Sequence, residues 1–565
     1  MARPDITTLA RRGQMTRRRM LAGSLVVAVG AFTGRARAAF RGELVSGLQV
    51  DNGGAPFAGD RTLFATLSPG GTRGRKRATV TFELARPAHV ELRVLARNAP
   101  RAKVPSSEGS SASTRTEQLS AQSSLLPTGR HELIWEPPAS LAPGTYTLQL
   151  LVTGVNGKRT VYGTATPVHP HLSRAPIVRL LGLDAAFLQS SYAAGDAATM
   201  FVAADAHALS VQLFQSGPET VPTYANNLLN GVPVGDPLQI DWHQNVDGPA
   251  PINLTLPSTI ASGVYYAQLQ SSDGRVGYAP FVVHPPAPQH RVAVIMPTNS
   301  WHAYNFYDAD GDGFGDSWYV SWATNSVDVT RPHLNRGVPY KYRSYDLSFL
   351  HWLSRTGKHA DFYADEDLES IASGDTLRSA YDLVIFPGHE EYVAAHAYDV
   401  IQRYRDLGGN LMFLSANNFF RRVDRHGSRL QLINLWRDLG RPEAALIGVQ
   451  YKASDRGTHQ APMVVTDAGA ASWAFAGTGL QSGQPFGRYG IEVDSTTASS
   501  PAGTVVLAEI PNALGAGLTA QMTYYETPAG ARVFAAGVLN FGGELLLWPQ
   551  TTQIVENAWR QLAQP

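Results

Sequence analysis

VAVIMPTNSWHAYN, residues 292–305, decides how the rest of the chain is read. Its first five residues are an apolar run of strand length with no polar alternation, as a buried strand requires. Its last seven crowd polar and aromatic side chains directly behind that run. The arrangement recurs twice downstream. Asp382-Leu-Val-Ile-Phe386 opens into Pro387-Gly388-His389-Glu390-Glu391-Tyr392, and Asn410-Leu-Met-Phe-Leu414 opens into Ser415-Ala416-Asn417-Asn418. In open α/β sheets ligands bind at the carboxyl ends of the strands. Three strand ends delivering Tyr, His, Glu and Asn to one edge therefore read as a site.

Around these runs the pattern is strand, helix, strand. Leu347, Leu350 and Leu353 keep a helical spacing within 343–357, stopped by Gly357. His359–Ala364 reads as a strand, a short helix starts over 367–371, and another runs from Val393 to Leu407 before Gly408-Gly409. Val555 to Leu562 reads as a closing helix. Such alternation predicts a parallel sheet wrapped by helices on both faces.

Upstream, residues 40–285 read as β. Alternating stretches such as Ala78–Phe82, Val90–Leu95, Thr145–Val152, Leu209–Phe214 and Val264–Leu269 are punctuated by Gly, Pro, Ser and Asn. LAPGTYTLQL at 141–150 and IASGVYYAQL at 260–269 share a G-x-Y-x-x-Q-L core, which argues for two units, 40–168 and 169–286. Both are expected to be immunoglobulin-like β-sandwiches, with Tyr146 and Tyr265 read either as corner tyrosines or as plain core aromatics. Ser106 to Ser124 reads as a surface loop, and Pro285-Pro286-Ala287-Pro288 as a stiff linker ahead of an α/β domain over 287–565.

Composition narrows the function classes. At 565 residues the chain needs several cores. A net charge of +1 with 16% charged residues supplies no field to recruit nucleic acid. The chain has no cysteine, which removes disulfides, thiolate metal sites and Cys-nucleophile mechanisms together. No G-x-S-x-G elbow follows a strand, and His169, His171, His243 and His459 lack the company a metal site needs.

The strings NSWHAYN (299–305), SVDVTRP (326–332), GHEEY (388–392) and FLSANNFFRRV (413–423) resemble the C-terminal domain of the N,N-dimethylformamidase large-subunit (beta) family. The resemblance covers 290–550 and implies a class I glutamine-amidotransferase-like (flavodoxin-like) parallel-sheet domain. It also implies hydrolysis of small amides at a mononuclear iron held by two tyrosines and a glutamate. On this sequence the implied ligands are Tyr304, Glu391 and Tyr319, with Tyr307 behind Tyr319. His389, Asn417 and Glu526, the last in TYYETPAGARVFAAG, match the implied catalytic histidine, asparagine and glutamate.

The chemistry is self-consistent. A ferric ion prefers anionic oxygen donors, and phenolate with carboxylate supply them while leaving positions for water and an amide oxygen. His389 and Glu526 would move the proton, and Asn417 would orient the amide or tetrahedral oxygen. Two plainer readings stand beside this one. The same side chains could cap strand ends by hydrogen bonding, and the protein could then be a secreted binding protein for carbohydrate or cell-wall material on the same fold.

Between WHAYN and DSWY, Asp308, Asp310, Asp312 and Asp316 occupy positions 1, 3, 5 and 9 of an EF-hand-like loop with Gly313 at position 6. Position 12 is Tyr319 instead of a bidentate Glu, so the stretch reads either as a calcium loop or as a solvated acidic one. The expected partners are thus a small amide, with a second copy of the chain or a small accessory subunit left open.

Residues 1–39 read as an address. Thr16-Arg17-Arg18-Arg19-Met20-Leu21 precedes a weakly apolar stretch, Leu25 to Phe32, and Arg35-Ala36-Arg37-Ala38 supplies a small-residue cleavage site. The arginine pair points to the twin-arginine (Tat) export machinery and a periplasmic or secreted destination. That route carries folded protein and so allows metal insertion beforehand. Changing Arg17 and Arg18 together to Lys is expected to leave the precursor in the cytoplasm, as fractionation would show, because arginine and lysine are not interchangeable in such recognition. Unchanged export would point to the general secretory route.

Overall fold

Alternation along four short strands divides the C-terminal half into two buried layers. They are β1 (Val292–Met296), followed directly by helix α1 (Thr298–Ala303), β2 (Asp361–Ala364), β3 (Leu383–Phe386) and β4 (Asn410–Phe413). Val292, Val294, Met296, Leu383, Ile385 and Met412 enter one core, and Ala293, Ile295, Val384, Phe386, Leu411 and Phe413 the other. Successive side chains of a strand point to opposite faces, so a sheet buried on both faces needs apolar residues throughout.

In the computed structural model, the residues described are 44–51, 64–67, 76–96, 117–138, 141, 144–180 without 163–176, and 182–564 without 205, 222, 224, 246–248, 306, 308–315, 319–324, 335 and 456. The expected signal segment, 1–39, and most of the Ser-rich loop lie outside them, as does Tyr319.

Five further strands complete the sheet: β5 (Gln460–Val465), β6 (Pro485–Gly490), β7 (Val505–Ile510), β8 (Ala520–Glu526) and β9 (Arg532–Ala535). The order is β2-β1-β3-β4-β9-β8-β7-β5-β6. The pairings from β2 through β9 are parallel, and those from β9 through β6 are antiparallel. Helix α2 (Leu347–Arg355) and the terminal α4 (Pro549–Leu562) cover one face, and α3 (Ala395–Asp406) packs on the other. Helix α4 starts well before the Val555 expected from sequence because Pro549 occupies its first turn, where a missing N–H is harmless.

Ahead of this sheet, two pairs of sheets each enclose a core. In the first unit an antiparallel three-stranded sheet built on Ala78–Leu84 packs Val80 and Phe82 against Val90, Leu92, Leu148 and Leu150 of a larger sheet. Strand Ile177–Leu180 pairs with Phe64–Leu67 and Gly144–Thr147 of that larger sheet. The first unit therefore takes a strand from beyond the 168/169 division read from sequence. The second unit joins Asp184–Phe187, Ala197–Ala203 and Ala250–Thr255 to a five-stranded sheet centred on Gly263–Ser271 and Val276–His284. Tyr265 is buried there and donates its hydroxyl to Ala261 O at 2.9 Å, while Tyr146 lies in the core of the first unit.

The second unit is welded to the large sheet. Val264, Tyr266, Tyr278 and Val282 belong to the same apolar cluster as β1 and α2. Ser216 Oγ meets Tyr342 Oη at 2.8 Å, and His351 Nε2 meets Glu219 Oε1 at 2.8 Å. Gly337 makes the closest approach: its φ is +88°, and a Cβ there would sit 1.6 Å from Tyr278 O. Gly337→Ala is expected to lower the unfolding free energy by roughly 2–4 kcal/mol in urea titrations, since it combines a left-handed backbone with a clash against main chain. A loss below about 0.5 kcal/mol would mean that the junction yields freely.

Candidate active site

The loops behind β1, β3 and β4 are stitched to one another. Ser300 Oγ accepts from Glu391 N at 3.1 Å, and Asn299 Nδ2 donates to Tyr392 O at 3.0 Å. Asn418 Oδ1 accepts from Glu390 N at 3.0 Å, Phe419 N donates to Glu390 O at 2.7 Å, and Arg421 N donates to Glu391 O at 2.9 Å. Short polar side chains at strand ends thus satisfy backbone groups that no ladder can pair.

Within this frame Tyr304, the C-cap of α1, meets the β3 loop. Its hydroxyl lies 2.9 Å from His389 Nε2 and donates to Glu391 Oε2. The Tyr304 and His389 rings stack at 5.6 Å. His389 Nε2 is 3.2 Å from Glu391 Oε2 and 3.9 Å from Glu492 Oε2, while Nδ1 donates to Ala416 O at 3.1 Å. Asn417 adopts φ +57°, a left-handed conformation that asparagine tolerates better than most residues. Its N–H donates to both oxygens of Asp494 at 3.0 Å, and its side chain hydrogen-bonds Glu492.

Tyr304, His389, Glu391 and Asn417 are therefore gathered, and Glu526 is not. Glu526 is exposed at the end of β8, accepts from Tyr524 Oη at 2.6 Å and stands opposite Arg532. Arg532 opens β9, which runs parallel to β4, so Glu526 lies at the sheet edge remote from the strand ends that carry the site. The buried carboxylate beside His389 is Glu492, on the short strand Glu492–Ser495. That strand is held by Leu539 N donating to Glu492 O and Asp494 N donating to Gly537 O. Its signal in the sequence was Glu-Val-Asp: two acids two residues apart, sharing one face of a strand otherwise built to be buried.

Of the two tyrosines expected to join Tyr304, only Tyr307 is among the described residues. Tyr319 lies outside the described residues, and Tyr307 is half-buried with its carbonyl tied to Arg331 at 3.0 Å. The rings that face Tyr304 are Tyr392, edge-on at 5.9 Å with its hydroxyl bonded to Glu391, and Tyr340, at 6.0 Å. Of the acidic loop, Asp308, Asp310 and Asp312 are outside the described residues, and Asp316 stands 3.7 Å from the buried guanidinium of Arg331. Among the described residues no three His, Cys, Asp or Glu side chains form a metal-holding group.

Residues 236–554 match the family described as N,N-dimethylformamidase beta subunit-like, C-terminal. The chain belongs to this family. The N,N-dimethylformamidase beta subunit of Alcaligenes sp is 26% identical over 192 residues, covering 34% of this chain and 24% of that protein. That of Paracoccus aminophilus is 24% identical over 228 residues, covering 33% and 29%. The matches thus span less than a third of these relatives' length. Among solved structures, Salmonella alpha-2-macroglobulin reacted with methylamine aligns over 44% of this chain and 18% of its own at 11% identity, and its TM-score of 0.23 supports no argument.

Electrostatically the site of this family member is a buried cation among acids. Burial opposes charge on His389, but the Glu492 and Glu391 carboxylates more than offset it and raise its pKa to about 9. Burial raises Glu492 to about 7 and Asp494 to about 8, and pushes the phenols of Tyr304 and Tyr392 well up, with Glu391 adding to both. Asp494 gives a checkable sign. Its folded pKa of about 8 lies above an unfolded value of about 4, so the folded state keeps a proton that the unfolded chain releases, and stability falls as pH rises between the two. Asp494→Asn should flatten that fall in denaturation curves taken from pH 4 to 8. Asp494→Ala should cost about 1–3 kcal/mol by orphaning the Asn417 N–H. An unaltered pH slope in Asp494→Asn would remove this assignment.

Proposed function

We propose that this chain hydrolyses the C–N bond of small amides, as an exported, iron-dependent enzyme. The observation that carries the reading is the convergence of Tyr304 Oη, Glu391 Oε2 and His389 Nε2 in one buried cluster at the carboxyl edge of the parallel strands, inside the segment that places the chain in its family.

The donor set fits a ferric ion, since a phenol and a carboxylate already press their oxygens together behind an imidazole. Tyr304 and Glu391 would hold it, with the further phenol supplied by Tyr319, Tyr340 or Tyr392. Iron bound there would polarise the substrate carbonyl and acidify a water. The chain's own groups manage the protons. Glu492, poised near neutrality, accepts a proton as the water oxygen bonds to the carbonyl carbon. The C–N bond then breaks, and protonated His389 gives the leaving nitrogen its proton. Asn417 orients the reacting group beside them. Acid and amine leave, and the proton held by Glu492 returns to His389, whose Nε2 lies 3.9 Å from Glu492 Oε2, so that both groups regain their starting states.

The remaining parts of the proposal rest on sequence. They are twin-arginine export to the periplasm or beyond, immunoglobulin-like β-sandwich units ahead of a glutamine-amidotransferase-like domain, and, because both relatives are named as beta subunits, a small accessory subunit. Among the described residues no helix is long and apolar enough to cross a membrane.

Purified protein is expected to carry close to one iron per chain, with a tyrosinate charge-transfer band in the visible that weakens when the second donor tyrosine becomes Phe. Stoichiometric zinc in a colourless protein would overturn the metal assignment. Glu391→Ala should release the iron. Glu492→Gln should lower turnover by about two orders of magnitude with iron and melting temperature retained, whereas Glu526→Gln should leave turnover near wild type. The reverse ranking would return the proton-transfer role to Glu526.

A further inference from the structure

We infer that the carboxylates of Glu390 and Asp365, with the side-chain oxygen of Asn299, hold a calcium ion directly behind the candidate active site. The inference goes beyond the hydrolase reading and does not rest on it.

Glu390 stands between His389 and Glu391 in the chain, and its carboxyl contacts that of Asp365. Both residues are deeply buried, Glu390 at 1% exposure and Asp365 at 3%. Main-chain bonds keep Glu390 from backing away, its N–H donating to Asn418 Oδ1 and its carbonyl accepting from Phe419 N. Asp365, directly behind β2, is held as firmly. Its Oδ2 accepts from Asn299 N at 2.7 Å and from Thr298 Oγ1 at 3.1 Å, and its N–H donates to Thr298 Oγ1 at 3.1 Å. Two carboxylates in contact and out of water repel strongly unless a positive charge joins them. Among the described residues no Lys, Arg or His pairs with either, and Arg425, whose charge acts on Asp365, is engaged with Glu366. Asp346 adds a third buried acid whose charge bears on Glu390.

A shared proton would answer the repulsion, but it would leave most of the waiting oxygens without a partner. Glu390 Oε1, Glu390 Oε2, Asn299 Oδ1 and Asp346 Oδ1 are buried acceptors with no donor among the described residues. Asn299 belongs to the same corner, since its N–H bonds Asp365 and its Nδ2 donates to Tyr392 O at 3.0 Å, two residues past Glu390. A cation satisfies several oxygens at once. The donors are hard oxygens with neither imidazole nor thiolate among them, which sets aside zinc and copper. The set draws on two acids and an amide, and so needs no third His, Cys, Asp or Glu. Two carboxylates match a divalent charge. Calcium takes amide and carboxylate oxygens and sheds its water readily, whereas magnesium keeps several waters for which so closed a corner has no room. Oxygens bound side by side at about 2.4 Å lie roughly 3.4 Å apart, so the contact between the two carboxyls suits one edge of such a coordination shell. Held there, the ion ties the ends of β1, β2 and β3 together behind Glu391.

The test uses full-length protein, with calcium content read by plasma mass spectrometry before and after exchange against EGTA. Wild type should hold calcium, melt lower once stripped, and regain about 3 °C or more with calcium at about 5 mM. Magnesium at the same concentration should restore less. Glu390→Gln and Asp365→Asn keep the side chain's shape, and in each the new amide can donate to the remaining carboxylate, so both should fold. Each should hold about one calcium fewer per chain than wild type and lose the calcium-dependent rise in melting temperature. Asp310→Asn with Asp312→Asn, which disarms the acidic loop, should keep that rise. A calcium response that survives in Glu390→Gln, or that disappears with the loop aspartates instead, would overturn the inference, as would equal shifts from the two ions. Wild type that holds no calcium and ignores the chelator has a proton between its carboxyls, and the inference then falls whatever the variants do.

Discussion

Hydrogen bonds between one strand-end loop and the next are the constraint on which everything else at this edge depends. The carboxyl end of a parallel strand leaves backbone groups with no ladder partner, and burying them unpaired is costly. Here the loops satisfy one another: the β1 loop offers Ser300 Oγ and Asn299 Nδ2 to the β3 loop, and the β4 loop offers Asn418 Oδ1 and two backbone N–H groups to the same segment. Each loop is thereby a template for its neighbours. The side chains of Tyr304, His389, Glu391 and Asn417 take their positions from this stitching.

That rigidity explains how a dense set of ionisable groups survives burial. Glu391, Glu492 and Asp494 sit in a region where carboxylates are poorly solvated, and a single imidazolium cannot neutralise all of them. Asp494 answers by holding its proton to about pH 8, and His389 answers by keeping its own to about pH 9. All of these shifts are upward: burial favours the protonated forms of Asp494 and Glu492, while neighbouring carboxylates favour the charged form of His389.

The strands that carry the site were legible because burial on both faces leaves an unmistakable pattern in VAVIM, LVIF and NLMF, and the residues just behind them had to lie at one edge. That placed Tyr304, His389 and Glu391 at a common edge, while the roles proposed for them came only from the family resemblance. Glu492 was not legible in this way, because its strand is recruited to the edge by pairing with Gln450–Ser454 and by bonds from 537 and 539, contacts between distant parts of the chain that no local period encodes. Glu526 misled for the complementary reason: its local string fits, but the antiparallel run of β8 against β9 carries it to the wrong end of the sheet. The first unit's strand at Ile177–Leu180 escaped in the same way, since a four-residue strand has too few positions to declare its partner.

The apolar cluster shared by Val264, Tyr266, Tyr278 and Val282 with β1 and α2 makes the proline-rich segment at 285–288 a poor place to cut. A linker of that composition invites treatment of the two sides as interchangeable modules, to be trimmed or transplanted at will. Yet the site-bearing sheet has one wall made of β-unit side chains, and the family match itself begins at 236, inside the second β unit. A cut that keeps the second β unit with the sheet it covers leaves this apolar cluster whole.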